Sequence, residues 1–231
     1  MKLCIQHFNL KSASPYTLES FIDQKYTKDK SGALFIIPEL FLVPLFHDKT
    51  LMSQASVQFQ IWLQRTSSVR NCSFFGSIYS FQKPNYLNKI FTVQGGKYNQ
   101  LMDQIIKDSE TKSDYLYDHK AQVSFESGAR IKVFILEDIR LRSYINRYEF
   151  DLLLFIGNRP DQFEDTWKTL LKTKAQEEQC FVCGCMRLDE DTPIDGCILF
   201  DYNGEIVEPG PTDLYQLNIE AQTEFRKQQQ Q

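Results

Sequence analysis

In "FIIPELF", residues 35–41, an apolar run delivers Glu39 just after Pro38, with Ile37 and Leu40 on either side. A carboxylate in such surroundings is poorly solvated, which raises its pKa and suits it to general-base work. The plain alternative is a glutamate at a strand end facing water. A second acidic exit lies in "KVFILEDIRLR", residues 132–142. Val133 to Leu136 form the apolar run of a buried strand. Glu137 and Asp138 follow, and Ile139, Leu141, Ile145 and Tyr148 continue at broadly helical spacing. A strand, a sharp turn and a helix make a place to hold a nucleophile, yet this turn carries acids and Leu136.

"CFVCGCMR", from Cys180, invites a metal hypothesis. Side chains alternate faces along a strand, so Cys183 and Cys185 point one way and Cys180 the other. Three sulfurs then fail to converge, and no second cysteine cluster completes a zinc site. These residues read as small buried thiols of a core strand. "VQGGKYNQ" (93–100) lacks the earlier glycine of a phosphate loop, and Tyr98 stands where Ser or Thr should reach magnesium, so it reads as a turn. His7, His47 and His119 are dispersed and sit in no local nucleophile signature.

These residues must be positioned by strands. Apolar runs predict them at 3–8, 33–39, 72–81, 89–94, 131–137, 151–157, 180–188 and 197–207, with amphipathic helices at 17–30, 53–69 and 162–178. The alternation predicts a layered α/β domain. Residues 107–130 are polar and read as a long surface excursion, with a lid as one reading of it. A net charge of -4 gives no reason to expect nucleic acid or an acidic membrane as partner. No apolar run is long enough to span a membrane. The six cysteines, with no secretion signal ahead of them, predict reduced thiols in the cytoplasm.

Taken in order, the pieces resemble the nitrilase (carbon–nitrogen hydrolase) superfamily over nearly the whole chain. "MKLCIQHFNL" resembles its first strand and "ALFIIPELF" its Pro-Glu motif. "YLNKIFTVQGG" resembles its Tyr-x-Asn strand, and "DLLLFIGNRP" the strand after the nucleophile. "WKTLLKTKAQEEQCFVCGCMR" resembles the helix ending Arg-Ala-x-Glu-Asn-Gln and the strand beyond it, with Ala175, Glu177 and Gln179 matching and Lys174 and Glu178 departing. "ILFDYNGEIV" resembles the strand pair with a Gly-Glu turn.

The resemblance implies a glutamate, a lysine and a cysteine as catalytic set, the thiolate attacking an amide or nitrile carbon. It places Glu39 as the retained general base. The Cys-Tyr-Asp-x-Arg turn is here "LEDIR": Asp138 and Arg140 match, and Leu136 holds the nucleophile position. The lysine position falls at Asp103 or Gln104; Lys97 is too early and Lys107 too late unless a loop shifts. Glu137, Asp138 and Asn158 are the implied pocket residues.

The expectation is a four-layer α-β-β-α sandwich over residues 1–225, with 226–231 as a polar tail. It pairs as a homodimer through 140–149 and 162–178, where Tyr144, Ile145, Tyr148, Phe163 and Trp167 give more apolar surface than two outer helices need. It is a cytoplasmic protein without carbon–nitrogen hydrolysis, acting by binding a small ligand or a partner, with no cofactor and no metal. The alternative is a divergent hydrolase using Glu39 with a non-standard nucleophile, either Cys183 or Cys185, or an acid pair of Glu39 and Glu137.

Overall fold

The computed structural model describes residues 2–7, 32–39, 49–82, 85–106, 115–116, 122–124, 128–135, 148–157, 164–186, 197–210 and 214–230. Its strands are β1 (Lys2–His7), β2 (Leu34–Ile36), β3 (Ser73–Gln82), β4 (Asn85–Gln94), β5 (Lys97–Ile106), β6 (Tyr115–Leu116), β7 (Gln122–Ser124), β8 (Arg130–Ile135), β9 (Leu152–Gly157), β10 (Phe181–Met186), β11 (Cys197–Phe200) and β12 (Tyr215–Asn218). Its helices are α1 (Lys49–Arg70), α2 (Glu164–Glu178) and α3 (Ile219–Gln229).

Among the described residues the strands form two sheets, ordered β12-β1-β2-β3-β4-β5-β6 and β11-β10-β9-β8-β7. The inner strands of each run parallel, β1-β2-β3 and β8-β9-β10. Parallel strands are covered on both faces, and the alternation of apolar residues shows how. Leu34, Ile36, Ile131, Val133, Ile135, Leu152, Leu154 and Ile156 meet between the sheets. Ala33, Phe35, Ile37 and Phe74 turn the other way, onto Phe59 and Leu63 of α1. Phe134, Leu153, Phe155 and Val182 turn onto Trp167, Leu171 and Ala175 of α2. Helix, sheet, sheet, helix: the fold is the expected α-β-β-α sandwich.

Gly184 sets the distance between α2 and its sheet. A Cβ there would lie 2.5 Å from Leu171 Cδ1 and 2.9 Å from Trp167 Cζ2. Gly184→Ala is therefore expected to cost about 1–3 kcal/mol by overpacking, read as a lowered urea midpoint at unchanged slope.

Three expectations need correction. Residues 107–130 are more than a surface excursion, since they supply an edge strand to each sheet: β6 pairs with β5 and β7 with β8. Arg130 already belongs to β8. The polar tail does not begin at 226, because α3 runs to Gln229 and Arg226 is buried, bonded to backbone carbonyls. Polar composition hid a docked helix. Finally, Trp167 adds no apolar surface to an outer face; its ring packs edge-on against Phe155 in the chain's own core. The outward residues of α2, Asp165, Thr166, Thr169, Lys172, Thr173 and Gln176, are polar. Tyr144, Ile145 and Phe163 lie outside the described residues.

Candidate functional site at the strand exits

Glu39 is positioned by the end of β2. The ladder continues one residue past the strand, with Ile37 N–H donating to Phe75 O at 2.7 Å. Gly76 permits that approach: a Cβ there would meet Ile37 Cβ at 2.6 Å and Ile37 O at 2.9 Å. Two residues on, Glu39 is 6% exposed, so the water-facing alternative fails. Asn88 Nδ2, fully buried on β4, donates to Glu39 Oε1 at 2.8 Å. That bond fixes one carboxylate oxygen. Asn88 was not singled out as a site residue from the sequence. Its signal was present in the Tyr-x-Asn motif, but the partnership spans 49 positions and only the fold reveals it.

β4 and β5 are joined at Gly95 and Gly96, both at positive φ (54° and 76°), as a two-residue hairpin demands. The glycine pair is thus a turn, as expected. It is seated on α1, where Gln64 Nε2 donates to Gly96 O and Gly96 N–H donates to Ser67 Oγ. The hairpin register sets Gln104 opposite Asn88 and Asp103 opposite Lys89. Asp103 and Gln104, the two residues that the resemblance sets at the lysine position, therefore lie on the strand beside Glu39's partner. β8 ends at Ile135, in register with Ile156 of β9, which is in register with Cys185 of β10 and then Cys197 of β11. Leu136, Glu137, Asp138, Arg140, Asn158 and Lys107 fall outside the described residues, as do His47 and His119.

The thiols are arranged as the strand alternation requires. Cys183 and Cys185 face the space between the sheets, whereas Cys180 lies in the α2 cluster. Cys183 Sγ and Cys197 Sγ are 3.5 Å apart. The hydrogen bond to Cys197 and then burial hold the thiols of Cys183 and Cys185 well above the ordinary range. A thiol that keeps its proton is a poor nucleophile. Among the described residues no cluster of His, Cys, Asp and Glu is arranged to hold a metal ion.

Burial likewise pushes Cys72 up to about 12, against an ordinary value of 9.0, with Arg70 opposing. Below the unfolded value both states keep the proton and no stability is lost. Above it only the unfolded thiol ionises, so stability falls as pH rises toward the folded value, by up to about 1.4 kcal/mol per pH unit. Urea titrations across that alkaline window should show a shallower fall for Cys72→Ala than for the natural protein. Equal slopes would contradict the assignment.

No family model matches the chain. The omega-amidase YafV of Yersinia enterocolitica is 26% identical over 188 residues, spanning 77% of this chain and 73% of that protein. The omega-amidase YafV of Escherichia coli K12 is 23% identical over 167 residues, 71% of this chain but only 64% of its own length. In structure the chain is similar to XC1258 from Xanthomonas campestris, a CN-hydrolase superfamily protein with an arsenic adduct in its active site. The TM-score is 0.71 at 18% identity, over 99% of this chain and 94% of that one. The fold is that of the nitrilases. Sequence relatives and structural neighbours together support membership of the nitrilase (carbon–nitrogen hydrolase) superfamily.

Proposed function

We propose that this chain is a single nitrilase-like domain, running through α3, that has lost carbon–nitrogen hydrolysis and acts by binding a small ligand or a partner. One observation carries the reading. The inner strand β8 ends at Ile135, and the next residue, at the position the resemblance gives the nucleophile, is Leu136. Leucine supplies no nucleophile, no acid and no ligand. The lysine position is occupied by Asp103 or Gln104. One lost catalytic group costs several powers of ten in rate, and here two are lost. Glu39, held by Asn88, then accepts a hydrogen bond from a ligand N–H or O–H instead of deprotonating a thiol. Glu137, Asp138 and Asn158 are the proposed companions in that pocket.

The proposed place of action is the cytoplasm, which agrees with five free thiols among the described residues. No helix among the described residues is long and apolar enough to cross a membrane. The chain is proposed to self-associate, though Trp167, turned into the core, gives α2 no apolar outer face for it.

A second reading keeps an amidase-like hydrolase with Glu39 and a non-standard nucleophile. The buried Glu39–Asn88 pair and the omega-amidase relatives favour it. Against it, Cys183 and Cys185 are buried with raised thiol pKa values. A screen of small amides and amines separates the two. Under the first reading a binder raises the melting temperature of the natural protein but not of Glu39→Gln, and intact mass stays unchanged. A covalent acyl adduct by mass spectrometry would support the second.

A further inference from the structure

Three thiols meet on one face of the second sheet. Cys183, Cys185 and Cys197 all turn into the layer between the sheets, while Cys180 turns away. β10 supplies the first two, and β11, an edge strand, supplies the third as its first residue. Cys197 Sγ lies 3.5 Å from Cys183 Sγ and also shares a hydrogen bond with Cys185. Cys197 is thus flanked by one thiol directly opposite and another on the diagonal.

The backbone decides which of the two it can be joined to. Val207 N–H donates to Leu199 O at 2.9 Å, and Asp201 N–H donates to Glu205 O at 2.8 Å. Leu199 and Asp201 therefore aim their backbone groups away from β10. By the alternation of an antiparallel strand Cys197 does the same, so Cys185 and Cys197 form a non-hydrogen-bonded pair. Such a pair holds its Cα atoms about 4.5 Å apart. That lies inside the range of roughly 4.4–6.8 Å that a disulfide spans. The diagonal pair, Cys183 and Cys197, stands roughly 7–8 Å apart at Cα and falls beyond it, although its sulfurs are close.

We infer that Cys185 and Cys197 close into a cross-strand disulfide when the protein meets a small peroxide, pinning the edge strand β11 to β10. The step balances with one peroxide. Cys197 Sγ attacks a peroxide oxygen, the O–O bond breaks, and the thiol proton leaves with the departing oxygen as water. Cys185 Sγ then attacks the sulfenic sulfur, and its proton leaves with the hydroxyl as a second water. The thiols lose the electron pair that the peroxide gains. The hydrogen bond to Cys197 and then burial keep Cys185 protonated. The reaction therefore waits on local opening of the edge strand and is slow beside that of an exposed thiol.

Peptide mapping of the full chain tests this. The native protein is treated with hydrogen peroxide, alkylated and digested without reduction. A cross-link joining Cys185 to Cys197 is expected, with the intact mass lower by two hydrogens and restored by dithiothreitol. Cys183→Ala should keep the bond, and Cys185→Ala should abolish it. In urea the oxidised natural protein should unfold with an equilibrium constant about a hundredfold smaller than the reduced one. Cys197 left unbridged, Cys197 bridged to Cys183 instead, or a bridge that brings no gain in stability would each overturn the inference.

Discussion

Replacing Leu136 with cysteine leaves the protein without measurable amide hydrolysis. The substitution puts a sulfur at the exit of β8, within the fold that brings Glu39 to the exit of β2. On the proposed reading, what stays missing is the cation that stabilises the oxyanion, because the lysine position falls at Asp103 or Gln104, on the strand paired with that of Asn88. An aspartate there adds negative charge, raising the thiol pKa and opposing the developing oxyanion, and a glutamine is merely a weaker donor. Losing one such donor costs about a hundredfold to a thousandfold in turnover. Adding Asp103→Lys or Gln104→Lys to Leu136→Cys should therefore recover about that factor over Leu136→Cys alone, and which of the two succeeds identifies the position. Turnover by Leu136→Cys by itself would show that Lys107 reaches the site.

Arg226→Ala destabilises the protein by about 2–4 kcal/mol, the range for removing one partner of a buried charged network. The guanidinium, 8% exposed, lies 3.5 Å from the carboxylate of Asp151 and 5.7 Å from the ring of Tyr148. It donates to Gln179 O at 2.8 Å and also to Phe150 O. One turn earlier, Gln222 Nε2 donates to Asp151 O at 3.0 Å and Gln179 O at 3.3 Å. Together they tie α3 to the starts of β9 and β10. Truncation takes away the guanidinium's bond to Phe150 O and leaves Gln179 O with Gln222 alone. Asp151 retains Arg130, bonded through both guanidinium and backbone N–H, so its charge is still met. Arg226→Lys should recover part of the loss, since an ammonium restores charge but not the fork. A urea-derived change under about 1 kcal/mol for Arg226→Ala would mean that α3 is not anchored as described.

The inner strands were legible because parallel, doubly covered strands are apolar on both faces. "DLLLFIG" and "CFVCGCM" could be little else, and the alternation that split Cys180 from Cys183 and Cys185 came straight from it. β5 was harder to read: "KYNQLMDQII" is half polar, and only its hairpin register with β4 makes it a strand. α3 hid for a related reason. Gln222 and Arg226 are buried by hydrogen bonds to carbonyls of distant strands, and hydropathy patterns record no such partner. The burial of Glu39 was readable from its apolar flanks, whereas its bond to Asn88 needed the pairing of β3 with β4. In α1, Val57 and Ile61 look like core residues in a sequence, and only the structure shows them exposed.

Ammonia release from a panel of small amides, followed for the natural protein beside Glu39→Gln, tests the proposed loss of catalysis most directly. A panel containing ω-amides takes in the chemistry named for the YafV relatives. The expected result is release no faster than the buffer blank for both proteins, with no difference between them. Sustained release by the natural protein that Glu39→Gln abolishes would contradict the account and establish Glu39 as the working base of a divergent amidase.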